Sequence, residues 1–394
     1  MDLRSELEPL TLDAALAQRE TLFPIVQNKT FLAHAAVCPV CGPSQQAMAD
    51  YATHGQAGYQ EGEWAIHQVK RTRLAAALAL GCDWREISLL GPTALGLSMI
   101  AFGLDWEPGD EVVFYADDYP SNVYPWMELE RRGVKPVPMH PDAPGVITWE
   151  LVEAHLTPKT KLVSLATSHF LAGFRIDVDT IGKRLHERGI LFCLDAIQTL
   201  GAFPLSIEHV DFLSADSHKW MLGVSGAGIV YVKQDLYARI RPILLGAWNV
   251  YSPEFVAQDT IRFYDGGRRF EPGALNLPGV VAMGAALELL LRVGIDSVGN
   301  RILALRNYFL PKLQDLGFET FLDDAMVQKH NAQSGIMTVR HPARDMTALF
   351  NRLTEHGVIA SHRKNRSGDS YIRFSPHFYN TESELDCVVE LISE

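Results

Sequence analysis

The chain has 394 residues, of which 47% are apolar and 21% charged, a balance that excludes a disordered, collagen-like or coiled-coil architecture. Lys and Arg number 35 against 47 Asp and Glu, and the resulting formal charge of −12 argues against nucleic acid or an anionic membrane as a partner. The length suits one large domain and a smaller one.

The first twenty residues are acidic and lack the apolar core of a secretory signal. The longest apolar run, from Leu89 to Leu104, is interrupted by Gly91, Pro92, Gly96 and Gly103 and is too short to span a bilayer. Five cysteines, an odd number thinly spread, suit a reducing compartment better than a disulfide framework, so the expected location is cytoplasmic.

In chain order, Arg71–Leu80 reads as a helix, and Thr93–Phe102 as another opened by the turn at Gly91, Pro92 and Thr93. A strand is predicted at Glu111–Tyr115, then a helix through Trp126–Arg132 and a strand near Val134–Met139. Thr160–Ala166 is an apolar strand and Thr180–Arg188 a helix, followed by strands at Leu191–Asp195, Asp211–Ala215 and Gly228–Val232. That alternation predicts βαβ units, an α/β fold with a mostly parallel sheet, and a ligand site at the carboxyl ends of its strands. Beyond Asn276 come a long helix, Val280–Arg292, helices at Arg301–Leu316 and Asp345–Glu355, and strands at Gly335–Val339 and Tyr371–Phe374. The expected division is an N-terminal arm over 1–25, a large domain over 26–280 and a smaller α+β domain over 281–394, closely packed because no linker separates them.

The strongest local signal is the segment Ser214 to Trp220, which sets Lys219 between His218 and Trp220 ahead of Gly223, Gly226 and Gly228. A lysine half-buried after a strand loses solvation, and its lowered pKa frees an amine for Schiff-base chemistry. A surface turn lysine is the plain alternative. About one βα unit upstream, Asp195 ends an apolar strand; a carboxylate buried there needs a cationic partner, and a pyridinium nitrogen would serve. Gln198 lies three residues further on. A helix N-cap is the plain reading of Asp195.

In this order and spacing the two elements resemble the class V aminotransferases, the fold type I enzymes dependent on pyridoxal 5′-phosphate that include cysteine desulfurases, selenocysteine lyases and isopenicillin N epimerase. Further matches are the segments 119–126, 173–177, 269–276 and 373–381, so the resemblance spans roughly residues 25 to 390. It implies that Lys219 is the Schiff-base lysine, that Asp195 pairs with the pyridine nitrogen and that Gln198 faces the phenolic oxygen. It places His218 at the phosphate, Thr93 and Ala94 at the helix start that cups it, and Tyr119 against the ring. Asp216 occupies the position in the same cup where the family usually has a small hydroxyl residue. Arg373 falls on the arginine for the substrate α-carboxylate, unless it forms a salt bridge to Glu382 or Asp386. His34, in the segment at the mouth of the site, is a candidate substrate contact, with helix capping or packing as the simpler role. A homodimer with interfacial active sites is implied, with Arg268–Asn276 crossing between subunits, acting on a small amino acid and binding neither nucleic acid nor membrane.

The departures from the family bear on chemistry. Cysteine desulfurases carry a sulfur-accepting cysteine on the loop before the arginine strand, and here the stretch Ser361–Asp369 has none. They also stack a histidine on the ring where this chain has Tyr119; a family asparagine aligns with Phe170 and a threonine with Ala274. The first expectation is therefore transamination or related amino-group chemistry. A carbon–sulfur or carbon–selenium lyase that needs no loop cysteine follows, then kynureninase-like hydrolysis and epimerisation, and last a silent pyridoxal-binding scaffold. Cys38 and Cys41 form a lone CxxC without metal or redox context, no histidine motif for a metal is found, and Arg363 and Arg366 read either as solvated loop charges or as contacts to a second acidic group on the substrate.

Overall fold

The computed structural model describes residues 3–393. The central sheet has seven strands: β1 (Ile87–Leu89), β2 (Glu111–Tyr115), β3 (Lys135–Met139), β4 (Thr160–Ala166), β5 (Leu191–Asp195), β6 (Phe212–Asp216) and β7 (Gly228–Val232). Their spatial order is β1-β7-β6-β5-β4-β2-β3. All run parallel except β7, which is antiparallel to both of its neighbours. The α/β, mostly parallel sheet expected of fold type I is what forms.

The sheet is apolar on both faces because both are covered. Val113, Tyr115, Val163 and Leu165 point into one core with Val280, Met283 and Leu287. Val112, Phe114, Leu162 and Cys193 point into the other with Leu97 and Ile100 of the helix Thr93–Gly103. Strands buried on both faces read as continuous apolar runs, which is why β4 and β5 stand out in the sequence. The helix Thr93–Gly103 lies close on the sheet because position 96 is glycine: a Cβ there would come within 2.3 Å of Ser214 Oγ and 2.6 Å of Val230 Cγ2.

The helix Leu277–Val293 continues through position 280, where the large domain was expected to end, and packs against the helices Gly42–Ala57 and Glu63–Leu80. Beyond it, Ile295–Asp315 leads into a four-stranded antiparallel sheet of β8 (Glu319–Thr320), β9 (Met337–Arg340), β10 (Ser361–Lys364) and β11 (Ser370–Phe374), ordered β10-β11-β9-β8. The N-terminal side takes part here, since Thr30–Phe31 pairs with Val358–Ile359 and Leu32 enters the core beneath this sheet. The stretch read as a loop from Ser361 is in fact a hairpin, with Ser361 opposite Arg373 and Arg363 opposite Tyr371. Among the described residues no single helix is long and apolar enough to cross a membrane, and all five cysteines are free thiols.

Candidate active site

Four segments bring chemistry to the carboxyl edge of the sheet. From β1 the chain enters the helix at Thr93; from β2 it reaches Tyr119; β5 ends at Asp195; and β6 ends just before His218 and Lys219. The hairpin β10–β11 closes the space from the other side with Arg363 and Arg373. Together they line a cavity of about 330 Å³ that also touches Ala35, Phe170 and Gln198.

Lys219 is buried, 6% exposed, with its Nζ 5.3 Å from the centre of the Tyr119 ring. Burial pushes its pKa down to about 8, opposed by the nearby Asp195 carboxylate and reinforced by Arg373 and Arg363. The amine therefore spends an appreciable fraction of its time unprotonated near neutral pH, as a nucleophile must. Asp195 is likewise buried, and burial raises its carboxyl to about 6; the backbone N–H of Ile197 donates to it at 3.0 Å and the Lys219 charge favours its ionised form. No arginine or lysine forms an ion pair with it among the described residues, so the carboxylate awaits a cation.

Thr93, Ala94 and His218, the residues expected at the phosphate, all line the cavity. Thr93 and Ala94 open a helix onto the cavity, with the free N–H groups and positive dipole end that favour an anion. The Thr93 hydroxyl is already engaged, accepting from the Asp216 N–H at 2.8 Å. His218 lines the cavity, its Nδ1 held by Asp216 Oδ1, which leaves Nε2 for a ligand. Asp216 itself does not reach the cavity, contrary to its expected place in the cup. Its oxygens accept from His218 and, at 3.1 Å, from the Gly226 N–H, so it orients the histidine from behind, and a carboxylate kept off the anion site avoids repelling it.

His34 is a second correction. It is fully buried, with Nδ1 2.9 Å from the Ser375 carbonyl and Nε2 2.8 Å from the Tyr379 hydroxyl, and it does not line the cavity. Packing is its role; the mouth of the site is formed instead by Ala35, Ala36 and Val37. Gln198 does line the cavity, but its amide is tethered, with Nε2 donating to Ala35 O at 3.1 Å and Oε1 accepting from Trp220 Nε1 at 2.9 Å. One amide proton stays available to a ligand.

Arg373 is 1% exposed and has no carboxylate partner among the described residues: Glu382 pairs with Arg301 and Asp386 with Lys312. Its Nη1 donates to the Phe170 carbonyl at 2.6 Å, while Nε and Nη2 are buried without partners. Phe170 meets the Tyr119 ring edge-on at 5.5 Å, walling the same side. Arg363, one of the two charges read as solvated by default, also lines the cavity, whereas Arg366 pairs with Asp117. Cys38 and Cys41 point at the carbonyls of Gly223 and Leu222, burial raises both thiols, and neither lines the cavity.

The sequence as a whole agrees with this geometry. The model of the class-V aminotransferase family matches residues 31–388, and the chain belongs to that family. It is 25% identical to a probable cysteine desulfurase of Methanothermobacter thermautotrophicus, covering 94% of this chain and 96% of the other. It is also 25% identical to an uncharacterized aminotransferase, YcbU, of Bacillus subtilis, covering 95% and 97%. Among solved structures, an apo cysteine desulfurase from Thermococcus onnurineus NA1 superposes with a TM-score of 0.87 at 21% identity, covering 96% of each chain. The cystine C–S lyase C-DES, in complex with its product cysteine persulfide, gives 0.84 at 20% identity over 94% of this chain and 99% of the other. The protein is thus an enzyme dependent on pyridoxal 5′-phosphate with the fold of this family. The cavity fits that cofactor by its donor set: a buried lysine, a buried carboxylate without a cation and a helix N-terminus beside a histidine.

Proposed function

We propose that the enzyme is a β-eliminating carbon–sulfur lyase that works without a cysteine in its active site. The observation that carries this reading is the hairpin. Its tip, at 365–369, is Asn, Arg, Ser, Gly and Asp, and no cysteine lines the cavity among the described residues, so nothing is present to accept sulfur as a protein persulfide. The names borne by the relatives favour sulfur chemistry over transamination, which was the first expectation from sequence and becomes the second reading here.

In this account Lys219 would hold the cofactor, Asp195 would keep its ring nitrogen protonated, and the N-terminus at Thr93 and Ala94 with His218 would hold its phosphate. The bound cofactor supplies an electron sink for the pair left when Cα loses its proton. Arg373 binds the substrate α-carboxylate through Nε and Nη2, the atoms left without partners. Once released, the Lys219 amine takes the Cα proton, and the Cβ–S bond breaks with its electron pair leaving on sulfur. Tyr119, beside Lys219, hands a proton to that sulfur. Water then hydrolyses the unsaturated amine to a keto acid and ammonium, so the net reaction is a hydrolytic elimination needing no oxidant.

A homodimer belongs to the same proposal, supported by apolar side chains left in the open between 245 and 261: Leu245 at 51% exposure, Phe255 at 79% and Ile261 at 52%. The chemistry is tested by incubating holoenzyme with cysteine or cystine. A lyase releases sulfur, keto acid and ammonium in equal amounts over many turnovers. One equivalent of keto acid per site, with further turnover only after a second keto acid is added, would instead establish a transaminase.

A further inference from the structure

Arg363 and Arg373 lie on one face of the hairpin. Residues alternate between faces along a strand, and the register sets Arg363 opposite Tyr371 and Ser361 opposite Arg373, so the two arginines are diagonal neighbours across the ladder. Such neighbours sit about 7–8 Å apart, within reach of long side chains. The other face, carrying Ile372 and Phe374, is in the core. Both arginines line the catalytic cavity. Neither has a carboxylate partner among the described residues, and the Nε of each is buried without a hydrogen bond.

Two like charges side by side, Arg373 fully and Arg363 partly buried and both uncompensated, destabilise a hairpin unless a ligand supplies anions. The rest of the cavity does not supply them. Asp195 lies near Lys219, whose charge favours its ionised form, and Asp216 is turned onto His218. The cofactor phosphate has its own donors at Thr93, Ala94 and His218. One α-carboxylate satisfies Arg373 and leaves Arg363 over. Arg363 is also held in place: three residues on, Arg366 pairs with Asp117 at the end of β2, tying the hairpin to the large domain.

We infer that Arg363 forms a second anion subsite, and that the substrate is an amino acid carrying an acid group at the far end of its side chain as well as its α-carboxylate. The inference rests on the Arg373 assignment made above, but not on which bond is broken.

The test is calorimetric binding to the holoenzyme at fixed salt. The probes are succinate, glutarate and adipate, each compared with the monocarboxylate of equal length: butyrate, valerate and hexanoate. At least one dicarboxylate should bind about tenfold more tightly than its match, the worth of one charge-assisted hydrogen-bonded contact. Arg363→Gln should abolish that preference while leaving the monocarboxylates unaffected, and Arg363→Lys should restore part of it. The inference is overturned if the native enzyme shows no preference. It is equally overturned if the preference survives Arg363→Gln, or if that variant weakens both series alike, which would put both guanidiniums on one carboxylate. Sulfur release from cysteine, which has one carboxylate, is scored separately, so failure of the lyase reading is distinguishable from failure of the subsite.

Discussion

A buried guanidinium waiting for a carboxylate should cost the ligand-free protein stability, and Arg373→Met measures that cost. Burial, aided by the neighbouring Arg363 charge, brings the pKa of Arg373 down to about 9 from an ordinary 12.5. At ~1.4 kcal/mol per unit, holding the charge there at neutral pH costs about 5 kcal/mol. Methionine keeps much of the stem volume but loses the bond from Nη1 to the Phe170 carbonyl, worth about 1.5–3 kcal/mol for a charged donor. The variant should therefore come out more stable than the native protein by about 2–3 kcal/mol in the absence of ligand. Denaturant unfolding of the ligand-free proteins reads this as a higher midpoint at an unchanged slope. Carboxylate at a thousandfold its Kd should reverse the order, since it adds about 4.1 kcal/mol to the protein that binds it and nothing to the one that does not. A ligand-free Arg373→Met protein that is less stable than the native would refute the picture of an uncompensated charge.

Asp118, buried beside Asp195, has its carboxyl raised to about 7 from 3.8, chiefly by burial. A raised folded pKa means that its contribution is fully present below pH 3.8 and lost as pH rises through about 7. Asp118→Asn should accordingly gain stability relative to the native protein between those limits, by up to a few kcal/mol, and a pH-independent difference in unfolding free energy would contradict it. Glu271 grips Arg73 with both oxygens, at 2.8 and 3.0 Å, and accepts from the Leu89 N–H at 2.7 Å. Glu271→Gln, leaving that arginine without its counter-charge, should cost about 3–5 kcal/mol in the same unfolding assay. Arg366→Ala breaks an exposed pair with Asp117, so stability should fall by less than about 1 kcal/mol. The substrate KM should rise because the hairpin bearing Arg363 is freed, and an unchanged KM would remove Arg366 from the site's support.

Much of this site is readable from the sequence because strand ends deliver its residues. Asp195 closes an unbroken apolar strand and Lys219 follows another, so their meeting at the sheet edge follows from parallel topology alone. What hides from the sequence depends on distant partners. His34 shares a chain segment with true cavity residues, yet its ring is claimed by Ser375 and Tyr379, more than 340 positions away. Asp216 sits at a cofactor position by spacing, but only the fold shows it turned onto His218 and Gly226. The hairpin is hidden in the sequence because Ser361–Lys364 is charged where strands are usually apolar, and one of those charges, Arg363, lines the cavity. The helix Gly42–Ala57 is not legible because its Gly, Pro, Ser and Gln content lacks an apolar stripe; its contacts with the helix Leu277–Val293 hold it.

The central claim, that Lys219 is the covalent anchor for the cofactor, has a direct measurement. Purified native enzyme and Lys219→Ala are each loaded with pyridoxal 5′-phosphate and reduced with borohydride, and the intact masses are compared. The account predicts a stable cofactor adduct on the native chain, mapped to Lys219, and none on the variant. An adduct of equal yield on Lys219→Ala, or one mapped to another lysine of the native chain, would contradict it.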